Sequence, residues 1–162
     1  MTNKRCKLTD RQIICLFRYH KPKSLAQIRK LNIKLEYFDS GLDRRVFLAG
    51  KGLIVKYDND SFQTKNEVTI MRKIHSRRKY ISLRKHVPKV LYSSLDYRIL
   101  LTHFYPGGLE EDNTEHLSKI NYFQELVSEV LGNYNDCDLH SGNFRFDKNG
   151  NIICVDLGME RI

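Results

Sequence analysis

Two short strand-like runs on either side of Asn149-Gly150 constrain the fold of this 162-residue chain more than any other feature. An Asn-Gly pair between alternating apolar residues is a strong signal for a tight β-hairpin. If this pair forms a two-residue turn, Asn143 faces Asp156 with the β-carbons roughly 5 Å apart. The opposite, apolar face would then consist of Phe144, Phe146, Ile153 and Val155. This register predicts an amide oxygen beside a carboxylate, which is half of a site for a hard cation such as Mg²⁺.

The segment that precedes the hairpin reads Asp136-Cys137-Asp138-Leu139-His140-Ser141-Gly142-Asn143, and Asp156-Leu157-Gly158 follows the hairpin. Together they resemble the catalytic and metal-binding region of the protein-kinase-like superfamily, in the H-x-D-L-H-x-G-N form of aminoglycoside and choline phosphotransferases and atypical kinases. The resemblance implies that Asp138 is the catalytic base and that Asn143 and Asp156 bind metal. Asp136 replaces the family's first His, which mainly braces the loop. The alternative is a solvated, Asp-rich turn.

Composition limits the size and location of the protein. With 41% hydrophobic and 29% charged residues, the chain fits one compact domain or two small lobes. No apolar run approaches the ~20 residues that span a bilayer, so we expect a soluble, cytoplasmic protein without a membrane partner. The cysteines lack metal-binding or C-x-x-C spacing, which favours reduced thiols. A net charge of +9 predicts an anionic partner without choosing its class.

The N-terminal region predicts two short basic helices. Thr9 or Asp10 can cap a helix that runs to about Tyr19, and Ser24 can cap a second one in which apolar residues recur at helical spacing. Two such helices suggest a helix-turn-helix. The alternative is a helical extension that packs on the following lobe. We favour the extension because no clear recognition helix follows.

The next region, from Leu35 to Tyr57, has the composition of β-strands, and its third strand ends near Lys56. The kinase-like resemblance implies that Lys56 contacts phosphates and that Gly41 and Val46 lie over the nucleotide. Gly41 is all that remains of the usual glycine-rich pattern, and either Arg44 or Arg45 could supplement it electrostatically. Without the resemblance, a lysine at the end of a strand is most often a surface residue whose charged end reaches solvent.

A helix is predicted from about Phe62 to His75, and its Glu67 has two interpretations. The resemblance implies that Glu67 faces inward and forms an ion pair that positions Lys56. Thr64 and Glu67 also have the spacing of a capping box, which would use the same carboxylate locally. We favour the ion pair.

Two further strands are predicted, over His86–Tyr92 and Tyr97–Phe104, before Tyr105-Pro106-Gly107-Gly108 ends them. The resemblance implies that this is the hinge between two lobes, where backbone groups of His103, Phe104 and Tyr105 bind the adenine edge. An ordinary β-hairpin with a glycine exit is compatible with the same residues.

A long helix is predicted over Leu117–Leu131, with an apolar face wide enough to suggest a homo-oligomer or a complex. A dense basic stretch lies earlier, between Arg72 and Lys85. It is interpreted by default as a solvated face, and the alternative is a docking surface for an acidic protein or nucleic acid.

The resemblance covers Leu35 to Gly158. It predicts an α+β, kinase-like bilobal fold with an antiparallel-sheet N-lobe that contains a helix (35–104) and a reduced, mainly helical C-lobe (105–162) that ends just after the D-L-G segment. The caps and helical spacing add a basic helical extension (1–34). The implied function is an ATP- and Mg²⁺-dependent phosphotransferase, and a protein Ser/Thr hydroxyl is the favoured acceptor. The alternatives are a pseudokinase-type regulatory protein that binds nucleotide, a small-molecule kinase and, less favoured, a basic nucleic-acid-binding protein.

Overall fold

The computed structural model describes residues 7–40, 44–110, 112–131 and 141–157. The chain divides into two compact units. Unit 1 comprises Met1–Ser61 and Leu91–Phe104, and unit 2 comprises Phe62–Val90 and Tyr105–Ile162. The α+β class and the antiparallel sheet predicted from the sequence are confirmed, whereas the boundaries predicted for three segments stay a prediction. Within the described ranges, no helix has both the length and the apolar character needed to span a bilayer.

Unit 1 is built around a five-stranded antiparallel sheet with the order β1-β2-β3-β5-β4. The strands are β1 (Leu35–Ser40), β2 (Arg44–Ala49), β3 (Leu53–Asp58), β4 (Tyr92–Ser93) and β5 (Ile99–His103). Phe47, Val55 and Leu101 are paired in a row across β2, β3 and β5, and all three are buried. Strand alternation places this row on one face of the sheet, which is the face that forms the core of unit 1.

Two helices cover that face: α1 (Asp10–His20) and α2 (Leu25–Lys30). Thr9 forms a capping box with Gln12, and Ser24 caps α2 through the amide of Gln27, as the sequence predicted. The buried residues of both helices, Ile13, Phe17, Leu25 and Ile28, join the cluster that contains the sheet residues. The apolar faces of both helices are therefore used in folding, which favours the packed helical extension over the helix-turn-helix.

Unit 2 contains α3 (Phe62–Ser76), a 3₁₀ helix (Arg78–His86), α4 (Thr114–Leu131) and a three-stranded sheet of β6 (Gly107–Gly108), β7 (Phe144–Phe146) and β8 (Ile152–Cys154). The buried residues Ile120, Phe123 and Val127 form the inner side of α4. The ring of Phe123 meets the ring of Phe144 edge-on, with 5.5 Å between centroids. This contact packs the β7–β8 hairpin on α4.

The predicted strand over His86–Tyr92 is mostly wrong. Only Tyr92–Ser93 is a strand, and His86 is the last residue of the 3₁₀ helix. The connecting residues are held within unit 2, since His86 Nδ1 lies 2.8 Å from the carbonyl oxygen of Ile152, and His75 Nε2 lies 2.8 Å from that of Val87. Pro88 also has no amide hydrogen to give to a ladder.

The start of α4 also differs from its prediction, because the helix begins at Thr114 rather than at Leu117. The side-chain oxygen of Asn113 accepts hydrogen bonds from the amides of Glu115 and His116. A side-chain oxygen in this position satisfies the first free amides of a helix. The cap therefore sets the boundary three residues before the apolar face becomes evident in the sequence.

Candidate functional site

Lys56 lies in the interior of the sheet of unit 1. It is paired with Val46 of β2 on one side and with Leu100 of β5 on the other. Directly paired residues point to the same face of a sheet, so this row lies on the face opposite α1 and α2. Lys56 is only 5% exposed, and a lysine is almost never so buried without a partner. The interpretation of Lys56 as a surface residue is therefore wrong.

A buried pair of opposite charges follows Lys56 on the same face. Arg44 of β2 is paired in register with Asp58 of β3, and both are buried. Arg45 lies on the other face, with its guanidinium 5.1 Å from the centre of the Tyr57 ring. Of the two arginines considered from the sequence, Arg44 thus shares the face of Lys56. Asp58 was not among the site residues predicted from the sequence; the alternation of Lys56 and Asp58 along one strand is the signal that could have identified it.

The two other residues predicted near the phosphates have different outcomes. Val46 is half-buried and lies directly beside Lys56 across the ladder. Gly41 lies outside the described residues, so its predicted role over the nucleotide stays a prediction.

Glu67 lies on α3 and is 2% exposed. Because α3 begins at Phe62, Thr64 is inside the first turn of the helix and is not its N-cap. The capping-box interpretation is therefore wrong. Glu67 belongs to unit 2 and Lys56 to unit 1, and the ion pair between them stays a prediction.

The predicted hinge is partly used by the sheet itself. The amide of Phe104 donates to the carbonyl oxygen of Gly52 at 2.8 Å, so this N–H cannot bind adenine. The backbone groups of an antiparallel strand alternate in direction, so those of His103, which is paired with Leu53, point away from β3.

Tyr105, the third residue of the predicted hinge, has a partly buried side chain. Burial and, secondarily, the charge of Asp147 raise the pKa of its hydroxyl.

The hairpin has a different register from the predicted one. Phe144 is paired with Cys154, and Phe146 with Ile152. The amide of Asp147 donates to the carbonyl oxygen of Asn151, which leaves the three residues Lys148–Gly150 in the loop. Gly150 has a φ of +78°, as expected for the left-handed position of a three-residue hairpin loop. The predicted two-residue turn is wrong.

The side chain of Asp147 explains this loop. Its Oδ1 accepts hydrogen bonds from the amides of Asn149 and Asn151, both at 2.8 Å, and its Oδ2 accepts one from Asn151 Nδ2 at 2.9 Å. Although partial burial acts in the opposite direction, these bonds lower the pKa of the Asp147 carboxyl. The carboxylate therefore holds three residues in a loop that two residues would otherwise have closed.

The changed register removes the geometric argument for the metal pair. The amide of Val155 donates to the carbonyl oxygen of Asn143 at 2.8 Å, so Asn143 faces Val155 and not Asp156. The face of Phe144 accordingly includes Phe146, Ile152 and Cys154 rather than Ile153 and Val155. Metal binding by Asn143 and Asp156 stays a prediction based on the resemblance.

The chemistry of the donors fits a hard cation nevertheless. Asn143 and Asp156 are both half-buried, and each offers the oxygen ligands that Mg²⁺ prefers. In the described part of the chain, no group of three or more His, Cys, Asp or Glu side chains is placed to hold a metal ion. The predicted base Asp138 and the rest of the segment 136–140 lie outside the described residues, as does Gly158.

Comparisons with known proteins give structural neighbours only. No family model matches the chain, and no curated protein matches it. One similar solved structure is the streptomycin–ATP complex of APH(2")-IIa, with a TM-score of 0.47, 20% identity and coverage of 68% of this chain and 40% of the other. Another is a choline/ethanolamine kinase family protein from Mesorhizobium loti, with a TM-score of 0.48, 14% identity and coverage of 90% and 65%.

The chain thus spans less than two thirds of the length of either neighbour. Both neighbours are protein-kinase-like superfamily members, the superfamily that the motifs resemble. At TM-scores below 0.5, neither similarity carries the assignment of a function to this chain.

Proposed function

We propose that this protein is an ATP- and Mg²⁺-dependent phosphotransferase that acts on a protein Ser or Thr hydroxyl. The observation that supports it most is the position of Lys56, buried in the middle of the sheet on the face opposite α1 and α2. In the kinase-like superfamily that the motifs resemble, a lysine on the third strand contacts the phosphates of ATP. The Asp138 segment supplies the matching sequence motif.

In the proposed reaction, the acceptor hydroxyl oxygen forms a bond to the γ-phosphorus of ATP. The bond from that phosphorus to the oxygen bridging to the β-phosphate breaks, and ADP leaves with the bond's electron pair. Asp138 takes the hydroxyl proton, and Lys56, oriented by Glu67, offsets charge on the phosphate oxygens. Asn143 and Asp156 would hold Mg²⁺, which when bound neutralises phosphate charge. Val46 and the backbone near His103 would contact the adenosine.

The choice of acceptor is based on charge. One neighbour is a complex with streptomycin and the other belongs to a choline/ethanolamine kinase family, and these three compounds are cationic. A chain with a net charge of +9 repels cations at long range. This charge favours a hydroxyl on a protein over one on a cationic small molecule, which stays the second candidate.

The test measures transfer of radiolabelled γ-phosphate from Mg²⁺-ATP by the purified chain. The acceptors are a mixed Ser/Thr peptide library, choline and an aminoglycoside. We expect labelled peptide, no transfer with Asp138→Ala, and a loss of about 100-fold or more with Lys56→Met, since charge stabilisation of this kind is worth that factor. Lys51→Met is the matched control, because Lys51 is an exposed lysine of the same unit; its activity should equal that of the wild type.

Two other outcomes would contradict the proposal. Labelling of choline or the aminoglycoside alone would identify a small-molecule kinase. The second outcome is that ATP raises the melting temperature of the wild type and not of Lys56→Met, while no acceptor is labelled. That result would identify a nucleotide-binding regulatory protein.

A further inference from the structure

The positive charge of this protein is concentrated in one short stretch. Eight of the 28 Lys and Arg residues lie between Arg72 and Lys89, and none of the 19 Asp and Glu residues lies between Val68 and Leu95. The remaining 20 Lys and Arg residues nearly balance the 19 acidic ones. This stretch therefore accounts for eight of the nine net charges of the chain, which is far from the even mixture of a solvated surface.

The stretch lies in unit 2 and comprises the C-terminal part of α3, the 3₁₀ helix and the residues that follow it as far as Lys89. The guanidinium Nε of Arg84 donates to the carbonyl oxygen of Ile74 at 3.2 Å, which holds the 3₁₀ helix against α3. The exposed cations of this surface are Arg72, Arg77, Arg78, Lys79, Lys85 and Lys89. We call these six residues the basic surface.

Lys79 of the basic surface lies close to a further like charge, that of Lys73. The ammonium groups of Lys73 and Lys79 lie 5.6 Å and 4.8 Å from the centre of the same ring, that of Tyr80. The Tyr80 hydroxyl has a lowered pKa because of hydrogen bonding to Lys79, with Lys73 adding to the effect against the opposing effect of burial. Such clustering raises the local potential and attracts a polyanion.

The exposed aromatic and apolar residues of a basic surface indicate which kind of polyanion it binds. Tyr80 is the sole aromatic residue besides histidine between Arg72 and Lys89, and it is 2% exposed. Binding of single strands relies on exposed aromatic rings that stack on bases, and this surface offers none. A membrane-binding surface needs several exposed apolar side chains, whereas Ile81, 65% exposed, is the one large apolar residue that this stretch exposes.

We propose that the basic surface binds a nucleic-acid duplex through its phosphate backbone, without reading base sequence. Six exposed cations on a folded segment suit regularly spaced phosphates. The proposal is independent of the phosphotransferase proposal, because none of these six residues takes part in that reaction.

The test is fluorescence anisotropy with a labelled 24-base-pair DNA duplex and the full chain, between 50 and 200 mM salt. Each phosphate contact contributes about −0.9 to the slope of log affinity against log salt. Six contacts predict a slope of about −5 and a loss of affinity of about 10³-fold across this range. The triple variant Arg77→Gln/Arg78→Gln/Lys85→Gln keeps three of the six contacts, so we expect a slope of about −2.7. Its affinity should then fall by about 40-fold between 50 and 200 mM salt.

Two further variants control for total charge and for folding. Lys23→Gln/Arg29→Gln/Lys30→Gln removes the same charge from exposed positions at α2 and should keep the wild-type slope. Arg77→Lys/Arg78→Lys/Lys85→Arg keeps the charge and should bind as the wild type does, whether or not the neutral variant folds fully.

Three outcomes would overturn the proposal. The first is a wild-type slope shallower than about −2, which means too few phosphate contacts. The second is an equal loss of slope in the variant at α2, which means that only total charge matters. The third is tighter binding to vesicles containing phosphatidylserine, or to polyglutamate, than to the duplex.

Discussion

The two ladders that carry proposed site residues are anchored differently. β3, which carries Lys56, is paired along its length with β2 and again with β5, and one of its faces packs on two helices. The β7–β8 hairpin, which leads to Asn143 and Asp156, is paired over three residues and is closed by the hydrogen bonds of Asp147. Long-range burial therefore determines the position of Lys56, whereas the register of the hairpin next to Asn143 and Asp156 depends on a single loop side chain.

The largest expected effect tests the burial that anchors β3. Phe17 on α1 has no exposed surface, and its ring meets that of Tyr92 edge-on with 5.3 Å between centroids. Phe17→Ala should lower the free energy of unfolding by about 3–5 kcal/mol, because it removes the ring and leaves a cavity. Urea denaturation followed by circular dichroism measures the change.

The matched control for this substitution lies two residues away on the same helix. Tyr19 is 82% exposed, so Tyr19→Ala should change the free energy of unfolding by less than about 0.5 kcal/mol. Similar values for the two variants would mean that α1 does not pack on the sheet, which would restore the helix-turn-helix interpretation.

Two glycines with nearly the same positive φ allow a direct comparison of the two ladders. Gly50, between β2 and β3, has a φ of +72°, and Gly150 in the hairpin loop has a φ of +78°. A β-carbon on Gly50 would lie 2.5 Å from Asp10 Oδ1, whereas a β-carbon on Gly150 would meet nothing within 4 Å. Asp10 Oδ1 accepts a hydrogen bond from the amide of Lys51.

We therefore expect different costs for the same substitution. Gly150→Ala should cost about 1 kcal/mol, which is the conformational penalty alone. Gly50→Ala should cost about 2–3 kcal/mol, because it also displaces the carboxylate. In a double-mutant cycle, Asp10→Ala should recover part of the cost at Gly50 and none at Gly150. Equal costs at both glycines would contradict the difference in anchoring.

Asp147 closes the hairpin loop, and loss of its side chain should have the next largest effect. Asp147→Ala should destabilise unit 2 by about 1–2 kcal/mol, since three hydrogen bonds to a charged group are lost from a half-exposed site. Asp147→Asn keeps one acceptor oxygen and should lose about half as much. Urea denaturation at neutral pH measures both variants.

The pH dependence of this variant pair has a definite sign. The pKa of Asp147 is lower in the folded protein than its ordinary value of 3.8. Its stabilisation is therefore complete above that value and is lost as the pH falls through the folded pKa. The difference between wild type and Asp147→Asn should become smaller as the pH is lowered below 3.8. A difference that does not change as the pH falls would assign the effect to packing.

The elements predicted correctly are those in which buried apolar residues recur at a regular spacing. The prediction failed where a single side chain selects the local conformation. The third strand, α3 and both N-terminal helices follow from apolar periodicity and caps, and the structure has them close to the predicted bounds. The hairpin was predicted one residue out of register because Asn149-Gly150 is a strong turn signal, whereas Asp147 selects a longer loop through bonds that no pairwise pattern encodes. A one-residue slip reverses the face of every following side chain.

A second difference concerns residues whose environment is tertiary. Asp is a residue type that is common in turns. Asp58 is nevertheless fully buried, because β2 places Arg44 opposite it. Likewise, His86–Tyr92 reads as a strand, yet hydrogen bonds of His75 and His86 hold the start of this run within unit 2. Local propensity contains no information about such partners, so these positions could not be predicted from the sequence alone.

The smallest expected effect concerns His86, which is buried where the 3₁₀ helix meets the hairpin. Its Nδ1 lies 2.8 Å from the carbonyl oxygen of Ile152 and therefore donates the hydrogen bond. Burial lowers the pKa of His86 from its ordinary 6.5, and Lys85 adds to this, while the Ile152 bond and the charge of Asp147 oppose it. Neutral imidazole is thus the form that the fold favours.

The unfolded chain consequently binds the proton of His86 more readily than the folded chain does. The free energy of unfolding should fall by less than about 1 kcal/mol as the pH decreases from 7.5 to 5.5, since only one group with a modest shift contributes. His86→Gln can keep a donor towards Ile152 and cannot titrate. The free energy of unfolding of this variant should therefore depend less on pH over this range. If the free energy of unfolding of the Gln variant changes with pH as steeply as that of the wild type, the pH dependence belongs to another group. The contact between the hairpin and the 3₁₀ helix would then not depend on the protonation of His86.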